Sequence, residues 1–158
     1  MAIQLKSLDE LKIMRQAGLL VAHTLDLMRE SIKVGMRTDA LDAIAAANIK
    51  RGGGTSNFLG YHGYPATICI SINDEIVHGI PGDRIIQDGD VVSIDCGAII
   101  DGWHGDAAFS YGVGTVDSAD QKMMDVCEES MWRGFAAAKV GGRLTDISHA
   151  IGSYIDSQ

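Results

Sequence analysis

The sequence predicts a mixed domain of the α/β (α+β) class, in which two helices and an antiparallel sheet are followed by two further helices. Three observations carry this prediction: amphipathic helical patterns near both ends of the chain, a hairpin signal at residues 91–113, and short apolar runs before that hairpin. The length of 158 residues suits one domain of ordinary size.

Composition limits the classes of partner. A formal net charge of −8 at pH 7 argues against DNA, other nucleic acid or an anionic membrane as the main partner. No apolar run approaches the roughly 20 residues of a membrane-spanning helix. An odd number of cysteines, no CxxC pair and an amino terminus unlike a secretion signal predict free thiols and a cytoplasmic location.

Two helices are predicted before the first strand. Ser7 and Glu10 form a capping box for a helix that reaches about Lys33. Its apolar stripe consists of Leu8, Leu11, Met14, Ala17, Gly18, Val21, Leu25 and Met28. A break containing Gly35 leads to a second helix over residues 38–51.

The segment between the helices and the hairpin carries candidate site residues. Residues 58–65 place three aromatic residues and a histidine in a glycine-broken loop, which predicts a pocket lining or, equally, a packed lid. A strand is expected over 66–73, followed by a short return strand over 75–78. His78 then lies where a strand gives way to a turn, a common position for functional side chains.

The predicted hairpin brings two carboxylates together. With Asp101 and Gly102 as its two loop residues, Asp95 faces Ala108, and Asp106 shares the face of Asp95. The two side chains are then diagonal neighbours with Cβ atoms roughly 7 Å apart. If buried and ionised, such a pair favours a divalent cation between the carboxylates, whereas on a solvated face the two are ordinary surface charges. The spacing alone leaves both interpretations open.

The last part of the chain repeats the pattern of the first. A helix is expected from 117 to about 140, with an inward face made of Met123, Met124, Cys127, Met131, Phe135 and Ala138. A V-G-x-R turn then leads to a short final helix, at Val140 as at Val34. This indicates an internal repeat, unless the match of the two turns is chance. We therefore expect a first structural half over 1–115 and, over 116–158, the opening helix pair of a second half without its strands.

Five motifs between residues 61 and 106, taken together, resemble type I methionine aminopeptidase, and the resemblance extends in order over essentially the whole chain. They read YHGYP at 61–65, CISIN at 69–73, HGIP at 78–81, SID at 93–95 and HGD at 104–106. The resemblance implies the N-terminal portion of a pita-bread fold, whose two pseudo-symmetric halves face each other across a dinuclear metal site. It also implies hydrolytic removal of the initiator methionine from nascent polypeptides, in the context of the ribosome.

The resemblance implies a role for each matching residue. Asp95 and Asp106 match two metal ligands, and His78 matches a catalytic histidine that contacts the substrate backbone and assists proton transfer. The positions that match the lining of the methionine pocket are Phe58, Tyr61, Tyr64 and Cys69. His104 has no ligand role in the family.

The rest of the family's metal site has no match in this sequence. One histidine and two glutamates, among them the general base, come from the second half in the family. We therefore expect two divalent ions (Co, Mn, Fe or Zn) in a complete enzyme, and poor metal occupancy in this chain, a single incomplete pita-bread domain over 1–158 that is truncated and inactive alone.

An exposed apolar sheet face is expected where the second half would pack, and a homodimer through that face is a second way to cover it. Two other functions stay open: an X-Pro-type pita-bread peptidase and a non-catalytic pita-bread binding protein.

Overall fold

The computed structural model describes residues 3–158, which form four helices and a four-stranded sheet. Helices α1 (Leu8–Ser31) and α2 (Thr38–Arg51) precede the strands. The strands are β1 (Thr55–Ser56), β2 (Cys69–Ile72), β3 (Val91–Ile100) and β4 (Trp103–Gly112). Helices α3 (Ser118–Ala137) and α4 (Leu144–Asp156) follow. This order confirms the predicted mixed class, and no described helix is long and apolar enough to cross a bilayer.

The chain divides into two compact units, one ending at Thr115 and the other formed by Val116–Gln158. The first unit contains the whole sheet, built around β3. Strands β1 and β2 pair with one edge of β3 and β4 pairs with the other, all antiparallel. The predicted hairpin register is confirmed, because Ile100 pairs with Trp103 and Asp95 with Ala108. Asp101 and Gly102 have φ values of 48° and 79°, as a type I′ turn requires.

One face of the sheet forms the core with α1 and α2. Alternate residues of β3 are fully buried on this face, namely Val92, Ile94, Cys96 and Ala98. Helix α1 crosses β4 at Gly105, where an added Cβ would lie 2.6 Å from the carbonyl carbon of Ala17. The buried part of the predicted α1 stripe begins at Ala17, whereas Leu8 and Leu11 are exposed. The opposite, outer face of β3 and β4 carries Asp95 and Asp106.

The predicted return strand over 75–78 is wrong. These residues form a loop, and Ile76 and Val77 are 89% and 65% exposed. The Glu75 carboxylate accepts a hydrogen bond from the backbone N–H of Ile72 at 2.8 Å, so a side chain takes the place of a ladder partner at the end of β2. The backbone returns to β2 at Gly79, whose carbonyl accepts from the N–H of Ile70.

The predicted inward face of α3 is also wrong. The residues buried on α3 are Ser130 and Gly134, and an added Cβ on Gly134 would lie 2.7 Å from Cδ1 of Ile151 in α4. The missing side chain of Gly134 therefore allows α3 and α4 to approach closely at this point. Of the predicted inward residues, Met124 is half-buried, and the others are exposed, namely Met123, Cys127, Met131, Phe135 and Ala138.

The local structure supports the internal repeat. Gly35 and Gly141, the second residues of the two V-G-x-R turns, have φ values of 84° and 85°. The arginine that ends each turn is the N-cap of the short helix that follows, Arg37 for α2 and Arg143 for α4. The same sequence pattern thus gives the same glycine conformation and the same N-cap position in each unit.

Candidate metal centre

The carboxylates of Asp95 and Asp106 lie on the outer face of the hairpin as diagonal neighbours. Asp95 pairs with Ala108, and Asp106 pairs with Gly97, two residues along β3 from Asp95. A Cβ added to Gly97 would lie 2.9 Å from Oδ2 of Asp106. The Asp106 carboxylate therefore lies over Gly97, in space that any other residue at this position would fill.

The environment of Asp95 fits a bound cation. Its Oδ1 atom is buried without a hydrogen-bond partner. Burial raises the pKa of Asp95, the neighbouring Asp106 raises that pKa further, and His78 partly offsets both effects. An ionised carboxylate beside a like charge, with one buried and unpartnered oxygen, is stabilised by a positive partner. Two carboxylates form a hard donor set that suits a divalent ion.

The described part of the chain supplies an incomplete set of ligands. Within residues 3–158 there is no group of three or more His, Cys, Asp or Glu side chains placed to hold a metal. His104, on the same outer face, is exposed. Asp95 and Asp106 are therefore the donors that this chain offers at the hairpin.

His78 occupies a strained and firmly anchored position. Its φ of 61° lies in the left-handed region, which non-glycine residues adopt rarely and often at functional sites. The next residue, Gly79, donates its N–H to Oγ of Ser71 at 3.1 Å and accepts from the N–H of Ile70 at 2.9 Å. A side chain at Gly79 would collide with the carbonyl of Ile70. The backbone beneath the exposed imidazole is thereby fixed against β2.

The Tyr64 hydroxyl joins the aromatic loop to the His78 loop. It lies 3.0 Å from the carbonyl oxygen of Gly79 and 3.1 Å from that of Ile68, and it donates its single proton to one of them at a time. Burial raises the pKa of Tyr64 well above its ordinary value, so the hydroxyl stays protonated as a donor. The Phe58 ring packs edge-on against Tyr64, with ring centroids 6.4 Å apart.

Cys69 closes this cluster beside the carboxylates. It pairs with Asp95 across β2 and β3 and is buried. Burial raises the pKa of its thiol, and Asp95 and Asp106 add to the effect, so the sulfur stays uncharged. Tyr61 is placed differently: it is 67% exposed and its ring lies edge-on against His62, 4.4 Å away. Phe58, Tyr64 and Cys69 thus form one group, with Tyr61 at its exposed rim.

Two residues of the site, Asn57 and Gly97, are missing from the sequence-based prediction. The backbone N–H of Asn57 donates to the carbonyl of Gly97 at 3.1 Å, and its side-chain Oδ1 is buried without a partner. One signal for Gly97 is present in the sequence: it is the only glycine of β3, and the predicted register already places it opposite Asp106. A glycine inside a strand often marks the close approach of another group.

The exposed outer face of the sheet is not apolar, contrary to the prediction. On β4 this face carries His104, Asp106, Ala108 and Ser110, all exposed. On β3 it includes Ser93, whose Oγ lies 2.8 Å from Oγ of Ser110. The face is polar because carboxylates, hydroxyls and small residues alternate with the core residues along both strands.

Comparisons with known proteins place the chain among metallopeptidases. The family model of metallopeptidase family M24 matches residues 12–158. Methionine aminopeptidase 1 of Bacillus subtilis is 47% identical over 153 residues, which cover 97% of this chain and 62% of that protein. Methionine aminopeptidase 1 of Mycobacterium tuberculosis is 50% identical over 147 residues, covering 92% and 55%. The chain therefore spans roughly three-fifths of the length of these relatives.

The fold agrees as well. The crystal structure of methionine aminopeptidase from Thermotoga maritima superposes with a TM-score of 0.96 at 34% identity, covering 99% of this chain and 63% of that one. The pita-bread architecture and the resemblance to methionine aminopeptidases, both predicted from the motifs, are confirmed. On the evidence of its fold, its paired carboxylates and the match over nearly its whole length, the chain belongs to metallopeptidase family M24.

Proposed function

We propose that this chain takes part in the removal of N-terminal methionine from polypeptides, as the part of a methionine aminopeptidase that carries two of the metal ligands. One observation carries the proposal: Asp95 and Asp106 share one sheet face, and Oδ1 of Asp95 is buried there without a partner. The relatives are methionine aminopeptidases, and from this we infer a substrate peptide that begins with methionine.

In this proposal Asp95 and Asp106 hold divalent ions, for which Co, Mn, Fe and Zn all suit a carboxylate-containing site. When bound, such ions acidify a coordinated water and polarise the scissile carbonyl. The role of the protein is to present both carboxylates from one rigid hairpin. Gly97 leaves the space that the Asp106 carboxylate occupies.

His78 acts on the substrate backbone. Its imidazole holds the scissile peptide group and supplies a proton to the departing amide nitrogen. The anchoring of Gly79 to Ser71 and Ile70 supports this role, because it fixes the backbone from which the exposed imidazole extends. The charge of His78 lowers the pKa of Asp95 and so partly offsets the effects of burial and of Asp106, which supports our placing His78 beside the carboxylates.

The methionine side chain is bound by Phe58, Tyr64 and Cys69, with Tyr61 at the mouth of the pocket. An aromatic wall with an uncharged thiol is a soft, apolar environment that suits a thioether. The uncharged Tyr64 hydroxyl and Cys69 thiol support this assignment, because neither places a charge against the substrate.

The same proposal includes a location, a domain organisation and an oligomeric state for the chain. Substrates of this kind are nascent chains, which places the protein in the cytoplasm near the ribosome. We propose one incomplete pita-bread domain over 1–158, with a first half over 1–115 and an opening helix pair over 116–158. We also propose a homodimer that brings Asp95 and Asp106 of two copies around one site; the outer face of β4 that would form its interface is exposed and polar.

Metal binding by the 158-residue chain tests the proposed ligands. Electron paramagnetic resonance measures free Mn²⁺ during a titration of the wild type, Asp95→Asn and Asp106→Asn. We expect one saturable site with a dissociation constant on the order of 10⁻⁴–10⁻³ M, weakened at least about tenfold in either variant. His104→Ala is the matched control, because it alters the same sheet face without touching a proposed ligand. Equal binding by all four proteins would contradict the proposal.

A chimera tests the proposed reaction. The C-terminal part of the Bacillus subtilis relative that this chain does not cover is joined to Gln158, and the product is assayed with Mn²⁺ on Met-Ala-Ser. We expect methionine release by the chimera, none by its Asp95→Asn variant, and none by the 158-residue chain alone. Hydrolysis of an X-Pro peptide in place of Met-Ala-Ser would favour an X-Pro peptidase, and metal binding without any hydrolysis would favour a binding protein.

A further inference from the structure

The carboxamide of Asn57 lies beside the Asp106 carboxylate, over the same glycine. A Cβ added to Gly97 would lie 2.7 Å from Nδ2 of Asn57, 2.9 Å from its Cγ and 2.9 Å from Oδ2 of Asp106. The two side chains thus share the space left by the missing side chain of Gly97. The amide is in a position to limit how the carboxylate can turn.

Asn57 is tied to both strands of the hairpin. Its backbone N–H donates to the carbonyl of Gly97 in β3 at 3.1 Å, and its Nδ2 donates to the carbonyl of Gly105 in β4 at 3.5 Å. Gly105 immediately precedes Asp106, so the amide contacts the peptide group that carries this carboxylate. The preceding residue is also fixed, because Oγ of Ser56 donates to the carbonyl of Thr67 at 2.7 Å.

Asn57 also carries one of two unsatisfied buried oxygens. In the part of the chain that the structure describes, Oδ1 of Asn57 and Oδ1 of Asp95 are the buried side-chain polar atoms without a hydrogen-bond partner. Nearly all buried polar groups in proteins are paired, so two exceptions beside one pair of carboxylates point to a site prepared for a donor or a cation. We therefore assign Asn57 a role at the carboxylate site in addition to its structural role beside the sheet.

We propose that Asn57 is a positioning residue for Asp106: its carboxamide, held between Gly97 and Gly105, restricts the Asp106 carboxylate to the orientation in which it shares a cation with Asp95. This inference rests on the proposed function of the carboxylate pair. An exposed aspartate otherwise samples several rotamers, and binding must overcome that freedom. Groups that orient a metal ligand typically change metal affinity by about 10–100-fold.

The test measures the orientation of Asp106 without metal and then the affinity for Mn²⁺. Three-bond scalar couplings report whether the χ1 angle of Asp106 takes one rotamer in the metal-free wild type, Asn57→Ala and Ser110→Ala. Ser110→Ala is the matched control, because it removes a polar group from the same face whose partner is Ser93. We expect one rotamer in the wild type and in Ser110→Ala, and averaged couplings with about tenfold weaker Mn²⁺ binding in Asn57→Ala.

The couplings decide the inference, and the wild-type titration decides the proposed function. A single Asp106 rotamer in Asn57→Ala overturns the positioning role, even if the wild type binds Mn²⁺. Averaged couplings in Asn57→Ala uphold the restraint of Asp106 by Asn57, whereas a wild type that fails to bind Mn²⁺ overturns the ligand role proposed for the carboxylate pair. Asn57→Ser, which is too short to reach Gly105, replaces Asn57→Ala if the latter does not fold, with the same expected couplings.

Discussion

Gly97 and Asp106 face each other across the hairpin, and Oδ2 of Asp106 lies 2.9 Å from where a Cβ of Gly97 would be. Glycine weakens the interior of a strand, since it has no side chain to pack and loses more backbone entropy on folding. At this position it makes room for the carboxylate and for the Asn57 amide. The sole glycine of β3 thereby marks the site.

Gly97→Ala and Gly105→Ala should differ in their effects. At Gly97 the new Cβ meets side-chain atoms of Asn57 and Asp106 rather than backbone, so we expect a loss of about 1 kcal/mol in unfolding free energy and weaker metal binding as these side chains are displaced. At Gly105 it meets the backbone of Ala17 and Gly18, which cannot move without shifting α1, so we expect about 3 kcal/mol. Urea denaturation measures both.

The control for these glycine substitutions is Gly18→Ala. An added Cβ at this helical position has no neighbour within 4 Å, and alanine favours a helix by about 1 kcal/mol over glycine. A Gly105→Ala protein as stable as Gly18→Ala would show that the close contact between α1 and β4 is wrong.

Asp95→Asn should stabilise the metal-free chain at neutral pH. The pKa of Asp95 is raised in the folded chain, mainly by burial and then by Asp106. Protonated Asp95 therefore contributes to the stability of the folded chain. This contribution is complete below the unfolded pKa, near 3.8, and is lost as pH rises through the folded pKa. The neutral amide avoids this loss, by about 1 kcal/mol at pH 7, a small value because Asp95 is only partly buried.

Urea denaturation in EDTA, at pH 7 and at a pH below 3.8, tests whether Asp95→Asn is more stable than the wild type. The difference between Asp95→Asn and wild type should be present at pH 7 and absent at the acid pH. A variant less stable than wild type at pH 7 would contradict the stated environment of Asp95.

Tyr64→Phe should loosen the His78 loop. It removes the hydroxyl that bonds to the carbonyl of Gly79 or of Ile68, at a cost of about 1 kcal/mol. We expect faster hydrogen exchange at the Gly79 amide, because the loop opens more often. Tyr61→Phe is the control, since Tyr61 is largely exposed, and it should leave that exchange rate unchanged. Equal rates in Tyr64→Phe and wild type would mean that the hydroxyl does not anchor the loop.

Substitutions in α3 test its observed contact with α4 against the inward face predicted from the sequence. Phe135 is 59% exposed, so Phe135→Glu should change the unfolding free energy by no more than about 0.5 kcal/mol. Its neighbour Gly134 packs against Ile151 and Ile147, so Gly134→Leu should cost about 2–3 kcal/mol. Thermal unfolding followed by circular dichroism compares the two, and a larger loss for Phe135→Glu would restore the predicted inward face.

The hairpin could be predicted from sequence because its determinants are local. An Asp-Gly pair sets a type I′ turn, and alternation then fixes which residues face each other, including Asp95 and Ala108. The return strand after β2 could not be predicted, because the Glu75 side chain, rather than a backbone strand, satisfies the N–H of Ile72. For α3, apolar residues at helical spacing predict an amphipathic helix, but they do not show which of its faces a neighbouring helix covers.

The contact between α3 and α4 and the position of Asn57 could not be predicted from the sequence, because both depend on residues that come together only in the folded chain. In α3, Gly134 lies against Ile151 and Ile147 of α4, whereas larger apolar residues such as Phe135 are exposed. Asn57 lies forty positions before Gly97, and no periodicity connects them. Their relation arises when the end of β1 pairs beside Ala98 and places the amide over the next residue of β3.

Paramagnetic broadening by Mn²⁺ tests the central claim most directly. Substoichiometric Mn²⁺ is added to the ¹⁵N-labelled chain, and the loss of each amide signal reports its proximity to the ion. We expect that the signals of Asp95, Asp106, Gly97 and Cys69 disappear first, and that Asp95→Asn abolishes this pattern. Broadening that is spread over acidic surface positions such as Asp9 and Glu10, and is unchanged in Asp95→Asn, would contradict the assignment of the carboxylate pair as a metal centre.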